Sequence, residues 1–136
     1  MIALTAGQAG DSPMLKYLLA DLRVARLGPG RPRTRASALL GDKAYSSKAI
    51  RALLRAHGTR AVIPEPSDQA GHRRRRGRAG GRPPAFDANT YKDRNVVERS
   101  FCDDKQWRAL ATRYDKLALV YRGAVVLRAI VTWLNQ

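Results

Sequence analysis

A chain of 136 residues with 44% apolar content is long enough for one domain with one sizeable core and too short for a multidomain machine. Its single cysteine, Cys102, excludes an intrachain disulfide and any metal site built from several thiolates, which fits a reducing compartment. Twenty-six Lys and Arg residues, twenty of them Arg, stand against eleven acids and give a net charge of +15, so the expected partner is a polyanion, nucleic acid before a neutral ligand.

Met1 to Gly10 carries no positive charge and too short an apolar run for a signal peptide, so the chain reads as cytoplasmic. Ile2 to Thr5 has the look of a strand tail, closed by the turn-rich stretch Gly7 to Pro13. With Ser12 as cap and Pro13 in the first helical position, Met14, Leu15, Leu18, Leu19 and Leu22 recur at helical spacing. Gly28 to Arg35 is a Pro/Gly/Arg loop, and Ala36 to Leu40 is a short apolar run that predicts a buried strand ending at Gly41-Asp42. Ser46 or Ser47 caps a second helix with Ile50, Leu53 and Leu54 on one face, and His57-Gly58 closes it. Thr59 to Ile63 is a further strand, stopped by Pro64 and Pro66. The succession predicts a βαβ unit in a parallel sheet.

Ser67 to Pro84 shows no periodicity and carries Arg73, Arg74, Arg75, Arg76, Arg78 and Arg82, which predicts a basic loop, disordered without a partner, that tracks phosphates. Asp87 or Asn89 caps a third helix to about Arg108, with Val96, Val97, Phe101 and Trp107 as its apolar set. The last helix begins near Asp115 and reaches about residue 135. Its run from Leu117 to Leu134 is interrupted by Arg122 and Arg128, each costing about 2.5 kcal/mol or more at a bilayer centre, so it is expected to be a core helix and no membrane span. Trp107 and Trp133 are expected in the core rather than as base-stacking platforms.

Asp42 has two readings. An acid after a strand makes a turn or caps the next helix; at the carboxyl end of a strand in an open α/β sheet it also stands where ligands bind, and can hold a metal ion with a second carboxylate. The candidate second carboxylate is Glu98, one of two Glu in the chain. Helical spacing puts Tyr91, Arg94, Glu98 and Lys105 on nearly one face, which is either a solvated face with an Arg94–Glu98 pair or a functional stripe.

The four residues spell Y-x2-R-x3-E-x6-K, which resembles the signature of bacterial insertion-sequence transposases of the DDE type and matches it at every position. Gly41-Asp42-Lys43-Ala44-Tyr45-Ser46-Ser47 is similar to the second-Asp motif of that family, and Gly58 to Pro64 to the strand that follows it. Arg82-Pro83-Pro84-Ala85-Phe86-Asp87, Lys105-Gln106-Trp107-Arg108, Thr112 to Lys116 and Thr5 to Ser12 extend the likeness over essentially the whole chain.

The resemblance implies a ribonuclease-H-like α/β fold, helices packed on a short, mostly parallel sheet, whose three carboxylates hold two Mg²⁺ or Mn²⁺ ions for DNA cleavage and strand transfer. It implies Asp42 and Glu98 as catalytic acids and metal ligands, converging to roughly within 8 Å. Tyr91, Arg94 and Lys105 are implied as contacts to transposon-end DNA. The family's first Asp, on a strand upstream of a segment like Ile2 to Asp11, has no counterpart, and Asp11 matches a turn residue. The chain is thus expected to be the carboxyl-terminal part of a catalytic domain, inactive alone, with a homo-oligomer or a complementing chain left open as partner. Asp103-Asp104 departs from the family pattern on the turn after Glu98. The alternative reading is a non-catalytic basic nucleic-acid-binding remnant; an unrelated basic RNA-binding protein explains the charge but not the spaced signature.

Overall fold

A computed structural model describes residues 2–5, 9–112 and 115–134, residue 109 by its backbone alone. The chain divides into two units, Leu15–Arg94, and Met1–Met14 with Asn95–Gln136.

The central unit is built on leucine spacing and a parallel strand pair. In α1 (Leu15–Ala20), Leu15 and Leu19 fall one turn apart on the same face, and both are buried. The chain then turns back on itself, with Val24 and Arg33 exchanging both backbone hydrogen bonds at 2.9 and 2.8 Å. Strand β1 (Ala38–Leu40) pairs in parallel with β2 (Arg60–Val62) in the register Ala38 with Arg60, Leu39 with Ala61 and Leu40 with Val62. Between them runs α2 (Lys48–Ala56). Its cap is Ser47, whose hydroxyl accepts from the Ile50 amide at 3.1 Å. His57 ends it, and Gly58 follows at φ +70, a conformation open to glycine at little cost. Leu15, Leu19, Leu54 and Ile63 form the core, with Leu39, Tyr45, Ile50, Leu53 and Ala61 packed against it. The expected βαβ unit is present, with strands of three residues that are half-buried at β1.

The basic stretch after β2 departs from expectation. Ser67–Arg75 is a helix, α3, followed by a 3-10 turn at Gly77–Gly80, where a loop was expected. Asp68 in the first turn and His72 to Arg75 in the last complement the helix dipole, and Arg is a good helix former. With no apolar stripe, α3 leaves no periodicity in the sequence to find. The third helix is also interrupted. Asp87 caps the short α4 (Ala88–Tyr91), a 3-10 turn follows at Lys92–Arg94, and α5 covers Asn95–Gln106. The 3-10 turn separates the short helix carrying Tyr91 from α5, which carries Glu98 and Lys105.

In the terminal unit, α5 is followed by α6 (Arg108–Thr112) and α7 (Ala118–Leu134), and α6 packs on both. Arg128 of α7 reaches Asp104 of α5 at 3.4 Å and lies over the Trp107 ring at 5.2 Å, while the Tyr121 hydroxyl donates to the Leu110 carbonyl at 3.2 Å. Three expectations fail here. The run in α7 is not a core helix: Leu127 is 65% and Trp133 74% exposed, because α7 is apolar around most of its circumference and α6 covers little of it. Trp107 is likewise exposed, serving as a platform for Arg128. Ile2 to Thr5 forms no strand, since no neighbouring strand supplies hydrogen bonds to it among the described residues.

Candidate functional site

Asp42 stands directly after β1, at the carboxyl end of the parallel pair. Its backbone is extended, and its Oδ1 accepts from the Ala44 amide at 2.9 Å, capping the 3-10 turn Lys43–Tyr45. The cap role and the strand-end position therefore coexist in one exposed residue. Gly41 sets the approach. Its amide donates to the Val62 carbonyl at 3.3 Å, and a Cβ there would lie 3.3 Å from the Tyr45 Cβ.

The turn after Asp42 is held from beneath by a residue the sequence reading passed over. Arg51 of α2 donates through Nη2 to the Ser46 hydroxyl and to the Ile63 carbonyl, both at 2.9 Å. Ser46, almost fully buried, in turn donates to Gln69 Oε1 of α3 at 3.3 Å. Burial pushes the Arg51 guanidinium pKa down, and the Glu65 charge opposes that. Its sequence position gave little signal for this role, since Arg51 lies beside the Ile50, Leu53 and Leu54 face of α2 and not within it.

Along α3 the arginines are not equivalent. Arg73 grips Glu65 with two hydrogen bonds, Nε at 3.1 Å and Nη2 at 2.8 Å, in a half-buried pair. The bond from Arg73 holds the Glu65 carboxyl below the usual range against partial burial, and the Arg73, Arg51 and Arg74 charges add to it. Arg73 is therefore part of the scaffold, unlike the exposed Arg74, Arg75, Arg76 and Arg78. Gly80 is required for the turn behind them, since a Cβ would stand 2.0 Å from the Arg73 carbonyl oxygen. Asp87 accepts from the Asn89 and Thr90 amides at 3.0 and 3.1 Å and from the Thr90 hydroxyl at 2.5 Å. Those bonds, the Thr90 hydroxyl first, lower its pKa.

Tyr91 and Arg94 belong with Asp42 and the arginine array to the central unit, and the Arg94 guanidinium lies 5.7 Å from the Tyr91 ring centre. Phe86 meets the same ring edge-on at 5.3 Å. Glu98 and Lys105, both exposed, belong to α5 in the terminal unit, seven residues and nearly two turns apart. Asp104, half of the acidic departure, has a structural use in the Arg128 pair; Asp103 is exposed.

Comparison with known proteins gives the class. Residues 1–134 match the family described as the Transposase DDE domain, and the chain belongs to it. It is also 26% identical, over 96% of its length and 85% of the relative's, to a Brucella ovis protein named for the transposase of insertion sequence element IS6501. No solved structure matches it. The family generally uses divalent metals. Among the described residues, no group of three or more His, Cys, Asp or Glu side chains is gathered that could hold an ion. No described helix is long and apolar enough to cross a membrane.

Proposed function

We propose that this chain serves DNA transposition as a DNA-binding part of a ribonuclease-H-like transposase domain, and that by itself it binds DNA without cutting it. What supports this reading is the tie from the Asp42 turn through Ser46 to Gln69, which fastens the arginine-bearing helix α3 to the turn that follows the strand-end acid. Arg74, Arg75, Arg76 and Arg78 offer planar forks to phosphate oxygens, contacts that position a duplex without reading its sequence. Tyr91, Arg94 and Lys105 carry the family signature and are assigned to the transposon end; Asp42 and Glu98 are assigned as its acids, with Mg²⁺ or Mn²⁺ as the ion they would share with a further carboxylate. Two carboxylates leave a pair of divalent cations with too few anionic ligands, which is why binding without cleavage is the expected behaviour.

The test is direct. The purified chain is mixed with supercoiled plasmid and Mn²⁺, and binding and nicking are followed together. Retarded but intact plasmid is the expected outcome. Asp42→Asn keeps an acceptor for the Ala44 amide while removing the charge, so it leaves the turn in place. Metal-dependent nicking that disappears in D42N would refute the non-cutting part, and absence of any DNA binding would refute the rest.

A further inference from the structure

The parallel pair has a second edge. Its carboxyl ends lead to Asp42, while its amino ends are approached by Arg35, three residues before β1, and His57, three before β2. There, wholly within the central unit, lies an open cavity of about 350 Å³ lined by Ala20, Arg23, Thr34, Arg35, Ala56 and His57. That volume is within the range of small-ligand sites. Three of its six lining residues carry basic side chains, and none is acidic.

The fold assembles this cluster from three distant stretches. The Val24–Arg33 backbone pair sets Arg23 beside Thr34 and brings Arg35 back toward α1. Gly58, without a side chain, lets the Arg35 guanidinium lie close: a Cβ there would be 3.2 Å from Nη1. The His57 Nδ1 faces the Thr59 hydroxyl at 3.5 Å, and that buried hydroxyl bonds the Ala36 carbonyl at 3.0 Å, which anchors the ring. Arg23 spends one terminal nitrogen on the Ala20 and Leu22 carbonyls, leaving further N–H donors of its fork. The carbonyl end of α2 contributes roughly half a negative charge, enough to gather cations and too little to neutralise two guanidinium groups.

We propose that this cavity is a phosphate-binding site, separate from the α3 face, that takes a phosphate group from a nucleic-acid backbone or from a free phosphate. Two forks and an imidazole around a small opening match the oxygens of one phosphate group, and the Thr34 hydroxyl adds a neutral partner. The backbone source rests on the DNA-binding reading above; the free source does not. With DNA bound here as well as at α3, nucleic acid would contact both edges of the strand pair.

Salt titrations of binding to a short random-sequence duplex separate these cases, run on the full chain, on R23Q/R35Q, on Thr34→Glu and on the α3 control R74Q/R75Q. The His57 ring resonance is followed as duplex or inorganic phosphate is added. For a backbone phosphate, R23Q/R35Q and T34E each lower the log–log salt slope by about 1 and weaken low-salt binding on the order of tenfold. The duplex then moves the His57 signal. T34E keeps both arginines and their packing, so it stands as the test should R23Q/R35Q fail to fold. If inorganic phosphate saturates the His57 shift at submillimolar concentration while the slopes stay unchanged, the phosphate site holds with a free source. If neither probe moves His57 and both pocket variants keep the parent slope, the proposal is overturned, and a loss confined to R74Q/R75Q would leave the DNA-binding reading intact.

Discussion

Leu54 has no exposed surface and sits in the cluster where α2 meets Leu15, Leu19 and Ile63. Truncation to alanine there removes buried methyl groups and leaves a cavity, so Leu54→Ala is expected to cost about 2–5 kcal/mol in urea unfolding. Leu127→Ala, on the exposed side of α7, is expected to stay within about 0.5 kcal/mol. Acid sensitivity has its own residues. Glu65 and Asp87 both have folded-state pKa values below those of the unfolded chain, through the Arg73 bond and the Thr90 bonds respectively. A carboxyl of depressed pKa stabilises fully above its unfolded value, about 4.3 for Glu and 3.9 for Asp, and loses that contribution as pH falls through the folded value. The urea midpoint is therefore expected to drop below about pH 4.5, and the drop is expected to be shallower in Glu65→Gln, which begins from a lower midpoint at neutral pH because Arg73 has lost its partner.

At the scale of elements, α2 shows what local chemistry specifies by itself. Ser46 or Ser47 at one end and His57-Gly58 at the other marked that helix in the sequence, and the structure takes Ser47 as the cap and ends the helix at His57 and Gly58. Ser47→Ala is expected to cost about 1 kcal/mol through the lost cap, and Gly58→Ala about 1–2 kcal/mol through its left-handed backbone, both read as unfolding free energies. The same chemistry made the βαβ unit and the strand-end position of Asp42 legible, because apolar runs, caps and prolines are local signals. What escaped was decided by partners distant in sequence. The α3 helix has no apolar stripe, and Glu65, eight residues before Arg73, fastens it. Arg51 gained its role from Ser46 and Ile63, and Asp104 from Arg128 on another helix. The exposure of α7 was equally unreadable, since an apolar stretch declares what it would bury and not what is there to cover it.

For the whole molecule the deciding quantity is charge: +15 over 136 residues makes association with DNA a counterion-release process, in which each neutralised phosphate steepens the salt dependence by about 0.9. Which arginines would supply those contacts in the proposed DNA binding follows from their surroundings. Arg73 is committed to Glu65, whereas Arg74, Arg75, Arg76 and Arg78 are exposed. Replacing these four by alanine is expected to lower the log–log slope by up to about 3.6, which removes roughly a hundredfold change in affinity between about 50 and 200 mM salt. Arg73→Ala should behave differently. It removes a single charge, so the slope stays near the parent value, but Glu65 loses its partner and the start of α3 loosens, which appears as a lower unfolding midpoint. Fluorescence anisotropy with a labelled duplex across a salt series, beside urea unfolding of the same variants, measures both effects. Equal slopes for the parent and the four-arginine variant would mean that the +15 acts as a diffuse field and that α3 holds no phosphate. A slope loss in Arg73→Ala as large as in the four-arginine variant would mean instead that α3 binds DNA only while Glu65 keeps it folded, making the ion pair a condition of binding rather than a neighbour of it.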